Sequence, residues 1–345
     1  MSDGLEEELT RLGQLTDSWI RRALAEHMSA PADRFRAMLE YHLGWRGPDL
    51  EPLATPAPAG KKLRPALALM VCRGVSGHEE PALPAAAAVE LIHNFSLVHD
   101  DIQDRSELRR HRATLWSLWG AAQGINAGDA LFALAQIVVT EAPSEASARM
   151  ARELNRTALL LAEGQYLDIE LQHGGTSASP EAYESMITRK TGVLFACACR
   201  LGAMAGGASG EVEEAYGAYG LELGLAFQEQ DDLLGVWGLS SETGKPEAAD
   251  IVERKRGLPA ALALSRTDAP PWLTSAYDDR DGAMEPDLVE RVIEHFDRLN
   301  LRSALENRVE QRYRRALDYL EQAAPRQPVH SYLAVLCEAL VARRA

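Results

Sequence analysis

The chain has 345 residues, of which 46% are apolar, and it carries a formal net charge of −15 with a pI near 5.1. The apolar content is sufficient for a sizeable core, whereas the acidic balance argues against nucleic acid as a partner, because binding a phosphate backbone needs a basic face. An anionic substrate would have to be held by metal ions or by a few well-placed cations.

Targeting signals are not apparent in the sequence. Residues Met1 to Glu7 are acidic and polar, unlike a secretory signal peptide. No uninterrupted apolar run reaches the roughly 18 residues that suggest a transmembrane helix. The four cysteines form no CxxC pair, which favours buried, reduced thiols. These features predict a cytoplasmic protein without a transmembrane segment.

Helical periodicity dominates the chain, and alternating strand patterns are nearly absent. Proline and glycine interrupt the pattern, most clearly in residues 47–60, 240–257 and 266–285. No composition change separates two cores, so we expect a single all-α domain over residues 1–345, built as a helical bundle around a central, carboxylate-lined cavity. The predicted helices cover residues 3–28, 31–44, 64–75, 82–103, 114–118, 125–140, 145–171, 180–205, 210–237, 257–265, 286–298, 301–324 and 329–344.

Two aspartate clusters lie inside apolar helical segments. The first is Asp100-Asp101-Ile102-Gln103-Asp104, and the second is Asp231-Asp232-Leu233-Leu234-Gly235. Carboxylates among apolar residues are costly unless something neutralises them, and Asp100 and Asp104 lie one helical turn apart on one face. Mg²⁺ takes oxygen ligands and readily shares them with substrate phosphates. The two clusters therefore predict a cage in which several Mg²⁺ ions hold a diphosphate between facing helices.

A simpler interpretation exists for any acidic pair, since most isolated pairs are solvated helix surfaces. The apolar neighbours of the two clusters argue against it. A third acidic group, formed by Asp278, Asp279 and Asp281, follows two prolines and precedes a glycine. We predict that this third group is a solvated loop without a function.

Lysine is rare, with five residues among the 36 basic ones. A lysine is a compact charge on a flexible stem and suits phosphate oxygens. The segment Lys61-Lys62-Leu63-Arg64-Pro65 opens a helix, and cations at a helix N-terminus form a natural anion site. The basic segment Arg109-Arg110-His111-Arg112 follows the first aspartate cluster. All five lysines lie beside loops or helix starts: Lys61, Lys62, Lys190, Lys245 and Lys255.

With these motifs in this order, the chain closely resembles the trans-isoprenyl diphosphate synthase (polyprenyl synthetase) family. The resemblance implies an isoprenoid-synthase-type helical bundle and a chain-elongating prenyltransferase that condenses isopentenyl diphosphate with an allylic diphosphate. It also implies three Mg²⁺ ions with bound diphosphate, and a homodimer. The matching segments are residues 60–65, residues 91–99 before the first aspartate cluster, residues 108–112, Asn126-Ala127-Gly128-Asp129, Lys190-Thr191-Gly192, Phe227-Gln228 before the second cluster, and Thr243-Gly244-Lys245-Pro246.

The resemblance also implies roles for single residues. The residues implied to bind Mg²⁺ are Asp100, Asp101, Asp104 and Asp231, with Asp101 and Asp232 acting also as supporting carboxylates. Those implied to contact the allylic diphosphate are Arg109, Lys190 and Lys255, with Lys245 nearby. Thr191 and Gln228 would face the developing allylic cation. The residues implied to hold isopentenyl diphosphate without metal are Lys61, Arg64, His93 and Arg110. A lone histidine on such a helix is more often a satisfied core residue, so the role of His93 depends on the neighbouring matches.

Two positions depart from the family pattern. Ala59 stands where the family usually has a second glycine, which should be tolerated. Gly235 stands where the second cluster usually ends in aspartate, so one metal-side carboxylate is missing. Because the native chain lacks this carboxylate, we expect Gly235→Asp to change activity far less than the loss of Asp231.

Product length is expected to depend on the helical turn before the first cluster, where family members close the channel for the growing chain. Phe95 lies five residues before Asp100, and Ser96 lies four before it. One aromatic residue with a small neighbour resembles geranylgeranyl diphosphate synthases, so we expect a twenty-carbon product. In the alternative interpretation, Phe95 is ordinary core packing.

Two rival functions remain open at this point. A terpene cyclase on the same fold would need no second diphosphate site, and residues 61, 64, 93 and 110 argue against it. An inactive regulatory subunit of a heteromeric synthase would not need both aspartate clusters, and both are present.

Overall fold

The computed structural model describes residues 3–58, 60–142, 146–175, 177–238, 247–279 and 282–341, and over these residues the chain is predominantly helical. Short 3₁₀ turns lie at Ala30–Ala32 and Glu80–Ala82, and a π turn lies at Thr188–Gly192. The prediction of an all-α fold is therefore confirmed. The helices are α1 (Asp3–His27), α2 (Asp33–His42), α3 (Leu63–Ser76), α4 (Leu83–Gln103), α5 (Leu115–Trp119), α6 (Ala121–Val139), α7 (Ser147–His173), α8 (Pro180–Ile187), α9 (Val193–Ala205), α10 (Gly210–Trp237), α11 (Ala249–Val252), α12 (Leu258–Leu264), α13 (Pro271–Asp278), α14 (Pro286–Arg298), α15 (Leu301–Ala323) and α16 (Val329–Val341).

The chain divides into two compact units. The first unit comprises Met1–Ala158, Cys197–Gly217 and Ala323–Leu333, and the second comprises Leu159–Ala196, Ala218–Gln322 and Ala334–Ala345. Long helices such as α7 and α10 contribute residues to each unit. That the whole chain forms one domain stays a prediction.

Helix α4 forms the core of the first unit, where it packs against α1, α3 and α6. Its first turns carry four consecutive alanines, Ala85 to Ala88, which are fully buried and small enough for close helix packing. Two glycines one turn apart on α6 allow the same approach. A Cβ at Gly124 would lie 2.8 Å from the Ile102 side chain, and one at Gly128 would lie 2.2 Å from the His99 ring. The last turns of α4, which carry the first aspartate cluster, are thereby fixed against α6.

Two helices are apolar and long enough to cross a membrane by length and composition alone. They are Glu80–Gln103, with 67% of its apolar window buried inside the protein, and Ala121–Val139, with 44% buried. The core helix of a water-soluble protein passes the same test. Among the described residues, neither helix is a clear membrane span.

The second unit is built around the C-terminal half of α10. One apolar cluster joins Leu225 and Leu233 of α10 to Tyr183 of α8 and Leu258 of α12. A second cluster joins Val236 to residues of α11, α13 and α14, including the fully buried Phe296. The second aspartate cluster therefore lies on a helix whose neighbouring positions are packed on several sides.

Several sequence predictions differ from the structure in detail. The segment expected to be irregular at residues 266–285 contains α13, because Pro271 starts a helix that buries Leu273, Ala276 and Tyr277. The helix expected over residues 180–205 is interrupted by the π turn, and the loop expected over 240–257 contains α11. Strands β1 (Leu108–Arg109) and β2 (Arg112–Ala113) form an antiparallel hairpin where no strand was expected.

The third acidic group is also more ordered than expected. Asp278 ends α13, and its Oδ1 accepts a hydrogen bond of 2.5 Å from the Arg256 guanidinium. The prediction of a loop is therefore wrong for Asp278, because the helix that it ends was missed, whereas its side chain is 59% exposed, as the prediction of a solvated group requires. Asp281 lies outside the described residues.

Candidate active site

The end of α4 places the first aspartate cluster. The backbone N–H of Asp104 donates to the carbonyl oxygen of Asp100 over 2.8 Å, so these residues lie one turn apart, as expected from their spacing. Asp100 is half-buried and Asp104 is exposed. Asp101 is only 2% exposed. The cluster therefore presents two carboxylates near the surface and buries the third.

Asp101 is bonded to a cation that follows it in the chain. Nε of Arg109 donates to Oδ1 of Asp101 over 2.8 Å. Burial raises the pKa of Asp101 to about 6, opposed by Arg109 and assisted by the negative charges of Asp100 and Asp104. Asp101 thereby orients the Arg109 guanidinium.

The short hairpin β1–β2 reverses the chain through Arg110 and His111, whose φ angles are 52° and 62°. Two residues with positive φ are typical of the tightest hairpin turns, which usually contain glycine or asparagine. Arginine and histidine rarely adopt this conformation. A Cβ built on Gly60 would lie 2.8 Å from Nη2 of Arg110. The turn therefore holds the Arg110 guanidinium directly against the loop that precedes α3.

One imidazole in the first unit lies within the positive field of three guanidinium groups. Nη1 of Arg64 lies 3.5 Å from Nε2 of His93. Burial and the positive charges of Arg64, Arg110 and Arg109 hold the pKa of His93 well below its usual range. His93 is therefore neutral. We call Arg64, Arg109, Arg110 and His93 the guanidinium pocket. Its surplus of positive charge suits a multiply charged anion.

His42, which belongs to the same region, was not predicted from the sequence. Burial, with Arg109 and Arg110, lowers the pKa of His42 to about 3. A small cavity of about 30 Å³ is lined by His42, Asp101 and both arginines, among others. Only the folding of α2 onto the hairpin brings His42 to this place, so no local motif could have indicated it.

The two lysines before α3 have different surroundings. Lys62 forms an ion pair with Asp17 of α1. Lys61 is exposed and lines a cleft of about 500 Å³ together with residues of α1. Of this pair, Lys61 is the more exposed, and the role that the resemblance implies for it stays a prediction.

In the second unit, four groups form one hydrogen-bonded chain. The Thr191 hydroxyl donates to Oε1 of Gln228 over 2.9 Å, and Nε2 of Gln228 donates to Oδ1 of Asp232 over 3.0 Å. Oδ2 of Asp232 accepts from the backbone N–H of Leu258 over 2.7 Å at the start of α12. The orientation of the Gln228 amide is thereby fixed from both ends.

The two aspartates of the second cluster differ in exposure to solvent, as the aspartates of the first cluster do. Asp231 is half-buried, whereas Asp232 is 7% exposed. Burial raises the pKa of Asp232 to about 7, and the nearby Asp250 raises it further, against the hydrogen bonds that the carboxylate accepts. Asp232 thus supports α12 and Gln228, which leaves Asp231 as the more accessible carboxylate.

The π turn at Thr188–Gly192 carries Lys190 and Thr191. A Cβ at Gly164 of α7 would lie 2.4 Å from the backbone nitrogen of Lys190, so α7 crosses the turn at a distance that only glycine permits. Turns of this type are frequent at functional sites. Nζ of Lys190 donates to Oδ2 of Asp168 over 2.6 Å. Asp168 is a partner that the sequence did not reveal.

The remaining lysines belong to the segment after α10. Nζ of Lys255 lies 3.1 Å from Oδ1 of Asp250 and 2.7 Å from Oε2 of Glu253. Lys245, together with the motif from Thr243 to Pro246, lies outside the described residues.

Phe95 and Ser96 occupy the expected turn of α4. The Phe95 ring lies 5.3 Å from the ring of Phe132 on α6 and 5.0 Å from the ring of His99. The Ser96 hydroxyl donates to the carbonyl oxygen of His93 over 2.8 Å. Phe95 is therefore one member of a group of three rings, and Phe132 is a neighbour that the sequence did not reveal.

Comparison with known proteins gives one consistent family. A model of the family described as polyprenyl synthetase matches residues 51–295. The (2E,6E)-farnesyl diphosphate synthase of Mycobacterium tuberculosis H37Rv is 41% identical over 230 residues, which cover 67% of this chain and 63% of that protein. The geranylgeranyl diphosphate synthase of the same strain is 41% identical over 257 residues, which cover 74% of this chain and 72% of that protein. The chain thus spans less than two thirds of the length of the first relative.

A solved structure extends the similarity to the entire chain. The geranylgeranyl pyrophosphate synthase of Corynebacterium glutamicum, complexed with isoprenyl diphosphate and magnesium, superposes with a TM-score of 0.79 at 28% identity. The superposition covers 100% of both chains.

Proposed function

The chain belongs to the polyprenyl synthetase family, and we propose that it is a trans-prenyltransferase that condenses isopentenyl diphosphate with an allylic diphosphate. The observation that carries this proposal is the guanidinium pocket around the neutral His93. An enzyme that only ionises one metal-bound diphosphate would not need this second, cation-lined anion site. Each aspartate cluster, on α4 in the first unit and on α10 in the second, offers carboxylates that suit metal ions.

Mg²⁺ fits the donor set, which consists of carboxylate oxygens. Asp101 and Asp232 are buried, whereas Asp100 and Asp231 are half-buried and Asp104 is exposed, so these last three are the residues that would hold the metal, as three ions with bound diphosphate. When bound, Mg²⁺ would neutralise the charge that develops on the leaving diphosphate.

The protein's own cations act on the same diphosphate. Arg109, oriented by Asp101, and the lysines Lys190 and Lys255 donate hydrogen bonds to its oxygens as the C–O bond of the allylic substrate breaks. Thr191 and Gln228, fixed by their hydrogen-bonded chain, direct oxygen dipoles at the allylic cation. The double bond of isopentenyl diphosphate then attacks the cation, and a proton leaves from the new product to the released diphosphate.

The guanidinium pocket holds the second substrate. Arg64 and Arg110 donate to the diphosphate of isopentenyl diphosphate, assisted by the neutral His93 and by Lys61 from the loop before α3. This arrangement keeps the double bond in reach of the cation without a metal ion between them.

We propose a product of twenty carbons, with Phe95 as the residue that limits growth of the chain. The two mycobacterial relatives, named for a farnesyl and a geranylgeranyl product, are each 41% identical, so overall identity does not distinguish the two lengths. The single aromatic ring one turn before the first cluster, with the small Ser96 beside it, supports the longer of these products.

We also propose a homodimer in the cytoplasm. Large apolar side chains are exposed on α6, where Ile125 and Ile137 are 48% and 43% exposed, and on α7, where Leu159 and Tyr166 are 63% and 62% exposed. Exposed apolar faces of this kind mark interaction surfaces, and the four buried free cysteines are typical of a reducing compartment. Light scattering should give a mass of twice 37.7 kDa. A monomer at micromolar concentration would contradict the dimer.

The assay for the proposed activity uses labelled isopentenyl diphosphate with dimethylallyl, geranyl or farnesyl diphosphate, each with Mg²⁺ and with EDTA. We expect elongation with Mg²⁺ only, ending at the twenty-carbon diphosphate. Release of diphosphate without incorporation of label would indicate a cyclase. Absence of turnover with every allylic substrate would indicate a regulatory subunit.

A further inference from the structure

A group of arginines and glutamates joins three helices of the second unit. The arginines follow one another at helical spacing along α15, which places their side chains on one face of that helix. The glutamates lie on α8 and α10. We call this group the arginine–glutamate network, and its members are Arg308, Arg312 and Arg315 with Glu184, Glu222 and Glu229. None of them belongs to the motifs of the candidate active site.

Glu229 lies at the centre of the network. Nε of Arg308 donates to Oε1 of Glu229 over 2.6 Å, and Nη2 of Arg312 donates to the same oxygen over 3.3 Å. Glu229 is fully buried, and among the described residues its Oε2 accepts no hydrogen bond. Burial raises the pKa of Glu229, against the attraction of both arginines. Buried ion pairs of this kind are weak evidence for stability, because apolar side chains of similar volume would avoid the cost of removing charges from water.

The same two arginines also bind α8. Nη2 of Arg308 donates to Oε2 of Glu184, and Nη2 of Arg312 donates to Oε1 of the same carboxylate. Each guanidinium group therefore joins a carboxylate of α8 to the Glu229 carboxylate of α10. Because the guanidinium group is rigid and planar, two such bridges side by side fix the position of α8 along α10.

The bridged positions lie next to residues that are proposed to act on the allylic substrate. Helix α8 ends at Ile187, and the π turn with Lys190 and Thr191 follows it directly. On α10, Glu229 follows Gln228, whose Oε1 accepts the Thr191 hydroxyl over 2.9 Å. A movement of α8 along its axis by the rise of one residue, about 1.5 Å, would break this hydrogen bond.

The π turn and α10 also meet at their backbones. A Cβ built on Gly224 would lie 3.1 Å from the Cα of Gly192, the last residue of the turn. Two glycines allow this close approach but offer no side chains that could interlock, and apolar contacts around them are not directional. The polar bridges at Glu184 and Glu229 supply the directional constraint between the turn and α10.

We propose that Arg308 and Arg312 are positioning residues for the prenyl transfer. By joining α8 to α10 they fix the π turn, and thereby hold Lys190, Thr191 and Gln228 in the arrangement that the allylic substrate meets. They act through these residues rather than on the substrate. This inference rests on the proposed prenyltransferase function.

A simpler role for the network is to stabilise the second unit. The triple variant Glu229→Leu/Arg308→Met/Arg312→Met separates the two roles, because it fills the buried volume with apolar side chains. The Glu184 carboxylate is then left in contact with water, since its side chain is 35% exposed. Such replacements often preserve or raise stability. A network that only stabilises would leave this variant with wild-type turnover, whereas a positioning network would leave it folded and slow.

A smaller change removes only the link to α8. Glu184→Gln takes the charge from a carboxylate that is partly exposed, and Glu229 still neutralises the arginines beside it. Glu306→Gln is the matched control, because Glu306 pairs with Arg302 of the same helix and its side chain is 49% exposed.

The experiment combines steady-state kinetics with farnesyl and isopentenyl diphosphates, thermal unfolding and amide hydrogen exchange, all with Mg²⁺. We expect kcat to fall roughly tenfold or more in Glu184→Gln and in the triple variant. The KM for isopentenyl diphosphate should stay within about threefold of wild type, because the guanidinium pocket is unchanged. Amides of residues 188–192 should exchange roughly tenfold faster in both variants. The triple variant should unfold at a temperature no lower than wild type, and Glu306→Gln should match wild type throughout.

Two results would overturn the positioning role: wild-type kcat in the triple variant, or unchanged hydrogen exchange at residues 188–192 in Glu184→Gln. A loss of kcat that only follows a loss of folded protein would also overturn it. Absence of elongation by the wild-type protein with every allylic diphosphate would overturn the proposed function instead. The hydrogen exchange would then still decide whether the network fixes the π turn.

Discussion

The cationic side chains of the two units differ in their bonded partners. In the first unit, a neutral imidazole lies within the positive field of three guanidinium groups, and Asp101 bonds one of them. In the second unit, Lys190 is bonded to Asp168, and Lys255 is bonded to Asp250 and Glu253. The guanidinium pocket thus gathers positive charge, whereas Lys190 and Lys255 are each neutralised by a carboxylate.

This difference indicates how each group of cations can bind a diphosphate. A pocket with surplus positive charge attracts the anion by itself. A site whose lysines are already neutralised needs added positive charge, and its aspartates are suited to obtain this charge from metal ions. We therefore expect one diphosphate to bind without metal and the other only with it.

The largest effect should come from the carboxylates. Asp100→Ala or Asp231→Ala should lower kcat by roughly a thousandfold, equivalent to about 4 kcal/mol of barrier, because the charge on the leaving diphosphate is no longer neutralised. Steady-state kinetics at saturating Mg²⁺ measures this loss. Exposed Asp268 provides a control, since it pairs only with its neighbour Arg266 on the surface among the described contacts. Turnover near the wild-type value in Asp100→Ala would contradict the proposed metal site.

A smaller and more selective effect is expected from the guanidinium pocket. Arg64→Ala or Arg110→Ala should raise the KM for isopentenyl diphosphate by roughly thirtyfold, because a hydrogen bond to a charged group contributes about 2 kcal/mol. The KM for the allylic substrate should change by less than about threefold. Arg314→Ala serves as control, since its side chain is 72% exposed. Equal effects on both KM values would mean that the guanidinium pocket does not select isopentenyl diphosphate.

Product length depends on packing in the first unit rather than on charge. Phe95→Ala removes the ring that contacts Phe132 and opens a cavity beside the end of α4. Chromatography of the products should show chains longer than twenty carbons, at a total rate within about tenfold of wild type. Phe35→Ala on α2 tests whether removal of any half-buried ring has this effect. An unchanged product distribution would mean that Phe95 is ordinary core packing.

The smallest effect concerns the pH dependence of stability in the second unit. Because the pKa of folded Asp232 is about 7 against 3.8 for an exposed carboxyl, the folded state keeps this proton to higher pH than the unfolded state does. Its contribution to the free energy of unfolding therefore falls as the pH rises from about 4 to 7. Asp232→Asn does not titrate, so urea unfolding should show a smaller decrease between pH 5 and pH 8, by an amount on the order of 1 kcal/mol. A decrease as large as that of wild type would contradict the raised pKa.

The helices were predictable from the sequence because each long one combines a continuous apolar pattern with a proline or glycine at its end. Helix α10 spans Gly210–Trp237, as predicted, and α4 ends at the first aspartate cluster. The short elements were not predictable. Helix α11 has four residues and the hairpin strands have two each, which is too short for any periodicity to appear.

The residues of the candidate site also fall into a predictable and an unpredictable group. Motif residues such as Asp100, Arg110 and Gln228 were predictable because each lies within a contiguous pattern. Their partners His42, Asp168 and Asp250 come from distant segments and have no local signature. Asp250 lies where a side chain at position 235 would begin, because a Cβ built on Gly235 would be 1.9 Å from its Oδ2. The sequence alone shows only that glycine replaces the usual aspartate at this position.

Calorimetric titration of the wild-type protein tests most directly whether one diphosphate binds without metal and the other only with it. Isopentenyl diphosphate is titrated with EDTA and then with Mg²⁺, and an unreactive thiolo analogue of an allylic diphosphate is titrated under the same two conditions. We expect the affinity for isopentenyl diphosphate to change by less than about threefold between the conditions, and the allylic analogue to bind only with Mg²⁺. Isopentenyl diphosphate binding that requires Mg²⁺, or allylic binding that does not, would contradict this expectation.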